Sequence, residues 1–92
     1  MLELSCRVAD PRGLHARTCV ALASVAADFS CKATISFADA TVSASDLMGL
    51  MALEAGSGDE VIVRCAGRDE AEAARAIRHV LASGMTGGRP TL

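Results

Sequence analysis

Apolar residues recur at every second position from Leu2 to Val8 and at every third or fourth from Cys19 to Phe29, so the hydrophobic period changes early in the chain. A period of two belongs to a strand with one wet face, and a period of about 3.6 to a helix with one buried stripe. Asp10, Pro11, Arg12 and Gly13 lie between the two patterns and carry turn chemistry. The first strand therefore covers Leu2 to Val8. The first helix spans residues 16–28, with Cys19, Leu22, Ala23, Ala26 and Phe29 facing the core. Alternation returns in Ala33, Ile35 and Phe37, the segment Ala38-Asp39-Ala40 can reverse the chain, and Thr41, Val42 and Ser43 continue a hairpin. Ser45 and Asp46 are good N-caps for a helix of about two turns from Leu47, closed by Gly56, Ser57 and Gly58. Val61, Val63 and Cys65 share one face of a fourth strand. The last helix sets Asp69, Glu70 and Glu72 at its electropositive start and Arg75, Arg78 and His79 toward its far end. Its core stripe is Ala73, Ala74, Ile77, Val80 and Leu81, and Gly84 stops it. The order is βαββαβα, an α+β pattern in which helices cover one face of a four-stranded sheet and the other face can be wet.

With 92 residues there is room for one compact domain, expected over residues 1–84, followed by a flexible tail over 85–92. A net charge of -2 provides no global basic field for nucleic acid or an anionic membrane, and two phenylalanines without Tyr or Trp offer no stacking platform for bases. No stretch approaches the roughly 20 apolar residues that cross a bilayer, and the start of the chain lacks a signal-peptide pattern, so a cytoplasmic address is expected. The cysteines at 6, 19, 31 and 65 form no CxxC pair. They read as small buried hydrophobes, with a redox role at Cys19 as the alternative. Cys19 and His15 alone lack the further ligands of a metal carrier, so no metal site is expected.

The segment Gly13-Leu14-His15-Ala16-Arg17-Thr18 sits where the first strand hands over to the first helix. First-turn amides of a helix have no internal partners and, with the helix dipole, attract anions. His15 falls at the N-cap of that helix and Arg17 just inside it, so an imidazole able to form a covalent intermediate faces an oxyanion cradle with a guanidinium beside it. The dipole also disfavours imidazolium, leaving the ring neutral and nucleophilic. From spacing alone, a solvated polar histidine remains the other reading of His15.

Gly13-Leu14-His15-Ala16-Arg17 after a first strand resembles the active-site signature of the HPr family, the histidine-containing phosphocarriers of the phosphoenolpyruvate-dependent sugar phosphotransferase system. The run SDLMGLMALEAGSGDEV resembles that family's second helix, Gly-containing loop and fourth strand, and the likeness covers roughly residues 2–84. The resemblance implies an open-faced β-sandwich with a four-stranded antiparallel sheet and three helices on one face. It implies that His15 accepts a phosphoryl group on Nδ1 from Enzyme I and passes it to an Enzyme IIA. On the same basis Ala16, Arg17 and Thr18 hold the phosphate, and Leu47, Met48 and Met51 dock the partners, while Leu50 and Leu53 are expected in the core. The protein is then a monomeric carrier without a cofactor rather than an enzyme.

Three departures stand out. Thr18 replaces a usual proline, which implies a looser first turn. Asp46 occupies the position of a regulatory serine, where it caps the helix and carries one fixed charge but cannot be phosphorylated by a serine kinase. Ser24, Ala27 and Asp28 stand where several members have basic residues, so steering toward an acidic partner weakens. The alternative within the same resemblance is a regulatory module of the nitrogen-related branch, which docks kinases or transcription factors.

Overall fold

Each strand has one apolar face to bury, and pairing the strands antiparallel gathers those faces on one side of a sheet. The computed structural model describes residues 1–83; Gly84 and the tail expected over 85–92 lie outside the described residues. Its strands are β1 (Leu2–Arg7), β2 (Lys32–Phe37), β3 (Ala40–Ser43) and β4 (Glu60–Ala66), and its helices α1 (Ala16–Ala27), α2 (Leu47–Leu53) and α3 (Glu70–Ser83). The sheet order is β1-β4-β2-β3 and every neighbouring pair is antiparallel.

Register decides which side chains share a face. Cys6 opposes Val61, Leu4 opposes Val63, and Val63 is flanked on its other side by Ile35. Ile35, Val61, Val63 and Cys65 are buried on that face, together with Cys19 and Leu22 of α1, Leu50 and Leu53 of α2, and Ala73, Ala74, Ile77, Val80 and Leu81 of α3. Burying a side chain of Val, Leu or Ile size stabilises by about 1.5–3 kcal/mol, so this single layer of helices on the sheet supplies the core. The opposite face is polar: Arg64 Nε donates to Glu3 Oε1 at 2.8 Å and Arg64 Nη1 donates to Ser36 Oγ at 3.1 Å. The architecture is thus the expected α+β, βαββαβα open-faced sandwich.

Several local expectations change. β1 ends at Arg7, and Val8, buried beyond it, donates its N–H to the Asp59 carbonyl at 2.9 Å. α1 stops at Ala27 with Asp28 as its C-cap. Ala23 and Phe29 are only partly buried at the margin of the core. α2 ends at Leu53, ahead of the glycines, because Glu54 itself adopts the left-handed φ of 57°. The last turn of α3 holds no basic residue, so Arg75, Arg78 and His79 lie too early to complement its C-terminus. The Asp69 carboxylate accepts the N–H groups of Ser30 and Cys31 at 2.8 and 2.9 Å, tying the α1–β2 connection to the start of α3. Cys6, Cys19 and Cys65 are buried, whereas Cys31 is half-buried and not the core residue expected.

One contact seats the β1–α1 connection. Gly13 has φ +74°, and a Cβ there would fall 2.7 Å from the Ala55 carbonyl oxygen and 2.9 Å from Gly56 Cα. The same Ala55 carbonyl accepts the Leu14 N–H at 2.9 Å. Gly13→Ala is expected to lower the unfolding free energy by about 2 kcal/mol or more, because backbone strain and steric displacement add. Urea denaturation checks this, and an unchanged midpoint would contradict it.

Candidate functional site

Where β1 hands over to α1, a tight turn is closed twice by Asp10. Its carbonyl accepts the Gly13 N–H at 2.8 Å, and its Oδ1 accepts the Arg12 N–H at 2.9 Å. An aspartate does this readily because its short side chain reproduces a backbone turn. Two residues past Gly13, His15 takes the N-cap position with extended backbone angles (φ -91°, ψ 175°), and its carbonyl accepts the Cys19 N–H at 3.0 Å. The ring is not buried in the core: 21% of its side chain is exposed, and Nδ1 accepts the Arg17 N–H at 3.3 Å.

The other ring nitrogen faces inward. Nε2 lies 2.9 Å from Asp10 Oδ2 and 3.0 Å from Thr18 Oγ1, and the Thr18 hydroxyl donates to Asp10 Oδ2 at 3.4 Å. Asp10 is 2% exposed. Its carboxyl is nevertheless held down to about 2, first by the Arg12 N–H, then by the His15 hydrogen bond, with the nearby His15 and Arg12 charges adding; together these outweigh desolvation. It is therefore an ionised acceptor at neutral pH.

The expected site residues fall as follows. Ala16 and Arg17 are exposed in the first turn of α1, and Arg17 forms no ion pair among the described residues, which leaves its guanidinium available to an anion. Thr18 is buried and bonded to Asp10 and His15, so its side chain turns toward Nε2 and not toward Nδ1, where the phosphate role was expected of it. Only its backbone amide remains for that role. On α2, Met48 is 73% and Met51 38% exposed, while Leu47 is partly buried against the core. Asp46 caps α2, accepting the Gly49 N–H at 3.1 Å, and Ser45 is exposed next to it, sharing a hydroxyl hydrogen bond with Ser43. Cys19 is fully buried and its thiol contacts the Leu14 carbonyl, while burial pushes that thiol above its ordinary pKa; both oppose the redox alternative.

Two residues that the sequence did not single out belong to this region. Asp10 reads as ordinary turn chemistry, and the one available signal is an acidic residue opening the turn five positions before the histidine. Val20, three residues beyond Arg17 on α1, is an apolar side chain left 51% exposed.

Comparison with known proteins gives one consistent result. A family model described as the PTS HPr component phosphorylation site matches residues 2–83. Phosphocarrier protein HPr of Neisseria meningitidis is 33% identical over 81 residues, covering 88% of this chain and 91% of that protein. Phosphocarrier protein HPr of Xylella fastidiosa is 36% identical over 77 residues, covering 84% of this chain and 86% of the relative. Among solved structures, HPr-C-His from Thermoanaerobacter tengcongensis superposes with a TM-score of 0.87 at 28% identity, covering 99% of this chain and 100% of that one.

The depressed carboxyl carries a pH signature. A carboxyl lowered in the folded state contributes stability that is complete above its unfolded value, near pH 4, and that is lost as pH falls through its folded value. For Asp10 that lower limit is about 2. Asp69, held below the usual range by its bonds to Ser30 and Cys31, acts in the same direction. The stability difference between the natural protein and Asp10→Asn is expected to shrink as pH falls from about 4 toward about 2. Denaturation series across that range check this, and a pH-independent difference would contradict it.

Proposed function

The chain belongs to the HPr family of phosphocarrier proteins, and from that premise we propose that His15 Nδ1 takes a phosphoryl group from the phosphohistidine of Enzyme I and delivers it to an Enzyme IIA. The observation that carries this proposal is the setting of Nδ1: it faces the Arg17 N–H at 3.3 Å, at the N-terminus of α1, while Nε2 is occupied 2.9 Å from Asp10. A phosphoryl group on Nδ1 takes the place of the lone pair that now accepts the Arg17 amide. Its oxygens then meet the first-turn amides of Ala16, Arg17 and Thr18 and the positive end of the helix dipole. The Arg17 guanidinium supplies a planar fork for two of those oxygens.

Transfer of this kind relies on positioning more than on covalent machinery, and the partner supplies half of the surroundings. The protein is accordingly a stoichiometric carrier, a single-domain monomer acting in the cytoplasm, and not a catalyst in its own right. Docking falls to Met48 and Met51 with the exposed part of Leu47. Methionine suits a surface that must meet two different partners because its unbranched side chain repacks at little cost.

Phosphoenolpyruvate and Enzyme I are expected to label the natural protein and to leave His15→Ala unlabelled; label surviving in that variant would refute the assignment. Asp46 removes the regulatory hydroxyl, since an N-cap carboxylate has no group for a serine kinase to modify. Incubation with an HPr kinase and ATP is expected to leave the intact mass unchanged, and a gain of one phosphoryl group mapped to Ser45 would overturn that expectation.

A further inference from the structure

The phosphocarrier reading uses His15, Arg17 and the first-turn amides and assigns nothing to Asp10, yet Asp10 and Thr18 are the two buried polar side chains among the described residues, and both bond to the His15 ring. The two carboxylate oxygens have separate tasks. Oδ1 accepts the Arg12 N–H at 2.9 Å and lies 3.7 Å from Arg12 Nε. Oδ2 receives His15 Nε2 at 2.9 Å and the Thr18 hydroxyl at 3.4 Å. An ionised carboxylate accepts and cannot donate, so the proton in the 2.9 Å contact belongs to Nε2. The neutral ring must then carry its lone pair on Nδ1, which agrees with the Arg17 N–H aimed at that atom from 3.3 Å.

We infer that Asp10 is a positioning residue for phosphoryl transfer: by holding the proton of His15 on Nε2 from a buried site, it presents Nδ1 as the nucleophile and fixes the plane of the ring. The inference rests on the phosphocarrier reading and deepens it. In the step itself the Nδ1 lone pair forms a bond to phosphorus while the bond between phosphorus and the donor's ring nitrogen breaks, its electron pair returning to that donor ring. No proton leaves His15. The phosphorylated ring keeps Nε2–H and becomes cationic, and the Asp10 carboxylate offsets that charge without taking the proton, as a carboxylate does behind the histidine of a hydrolase triad. Delivery to the acceptor reverses the same bookkeeping. The Thr18 hydroxyl gives Oδ2 a second donor, so the oxygen is held in place whichever charge state the ring adopts.

Asparagine at position 10 separates these tasks. Its carbonyl oxygen can keep the turn bond to Arg12 N–H, which places its NH₂ against Nε2 and asks that nitrogen to accept. The proton then moves to Nδ1, where it blocks attack and opposes the Arg17 amide. Two measurements on the natural protein and Asp10→Asn test this: phosphorylation rate with phosphoenolpyruvate and Enzyme I, and ¹⁵N ring shifts of His15 without any donor, at a pH where the ring is neutral. The expected result is a protonated Nε2 and unprotonated Nδ1 in the natural protein. In Asp10→Asn we expect the reverse, with a rate loss on the order of 100-fold or more. A natural protein protonated on Nδ1 overturns the inference even if the variant fails to fold. So does an Asp10→Asn protein that keeps the natural tautomer, or one whose rate stays within about twofold, since one pKa-sized interaction already exceeds that change. If the natural protein takes no phosphoryl group at all, the phosphocarrier reading fails, while the donor-free ring shifts still decide whether Asp10 sets the tautomer.

Discussion

The 2.9 Å contact between Asp10 Oδ2 and His15 Nε2 fastens the first turn of α1 to the turn that leaves β1. Without a partner, a carboxylate this buried would be costly, since removal from water penalises the charged form. Here each oxygen has donors: the Arg12 amide on one side, the imidazole and the Thr18 hydroxyl on the other. The histidine is consequently locked from within while its outer nitrogen stays near solvent. A ring held only by its N-cap bond to the Arg17 amide would be free to turn about its side-chain torsions.

That arrangement explains why the sheet and helices are built as they are around the site. Antiparallel pairing sets Arg7 at the end of β1 opposite Glu60 at the start of β4, so the chain leaves the sheet beside the loop that follows α2. Gly13 lets the two backbones touch there, and the Leu14 amide is anchored on the Ala55 carbonyl. The core under α1 then aims the helix, and the helix start aims the imidazole. Rigidity thus runs from buried apolar packing, through two backbone contacts, to one ring nitrogen.

Much of this was legible in the residues themselves. Period-two alternation marked β1 and β4, a stripe at helical spacing marked α1 and α3, and Asp46 identified itself as a cap, because each of these depends on neighbours within one or two turns of chain. The N-terminal position of His15 was readable for the same reason. What escaped was set by contacts that spacing does not encode. Asp10 and Asp69 both sit in turn-like contexts, yet one turns inward to a histidine and the other ties Ser30 and Cys31 to a distant helix. Thr18 looked like a loose substitute for a rigid proline, and became a buried hydroxyl only because Asp10 lies beneath it. Glu54 ended α2 in a left-handed conformation ahead of glycines that seemed better suited to it, and the sequence holds no local reason for that choice.

The central claim is that His15 offers Nδ1, and no other atom, to phosphorus. The most direct test is ¹⁵N–³¹P NMR on the chain labelled at its histidine rings and phosphorylated by phosphoenolpyruvate and Enzyme I. The account predicts a single phosphohistidine whose phosphorus couples to Nδ1 of His15. Coupling to Nε2, or phosphate found on His79 or on a hydroxyl, would contradict it.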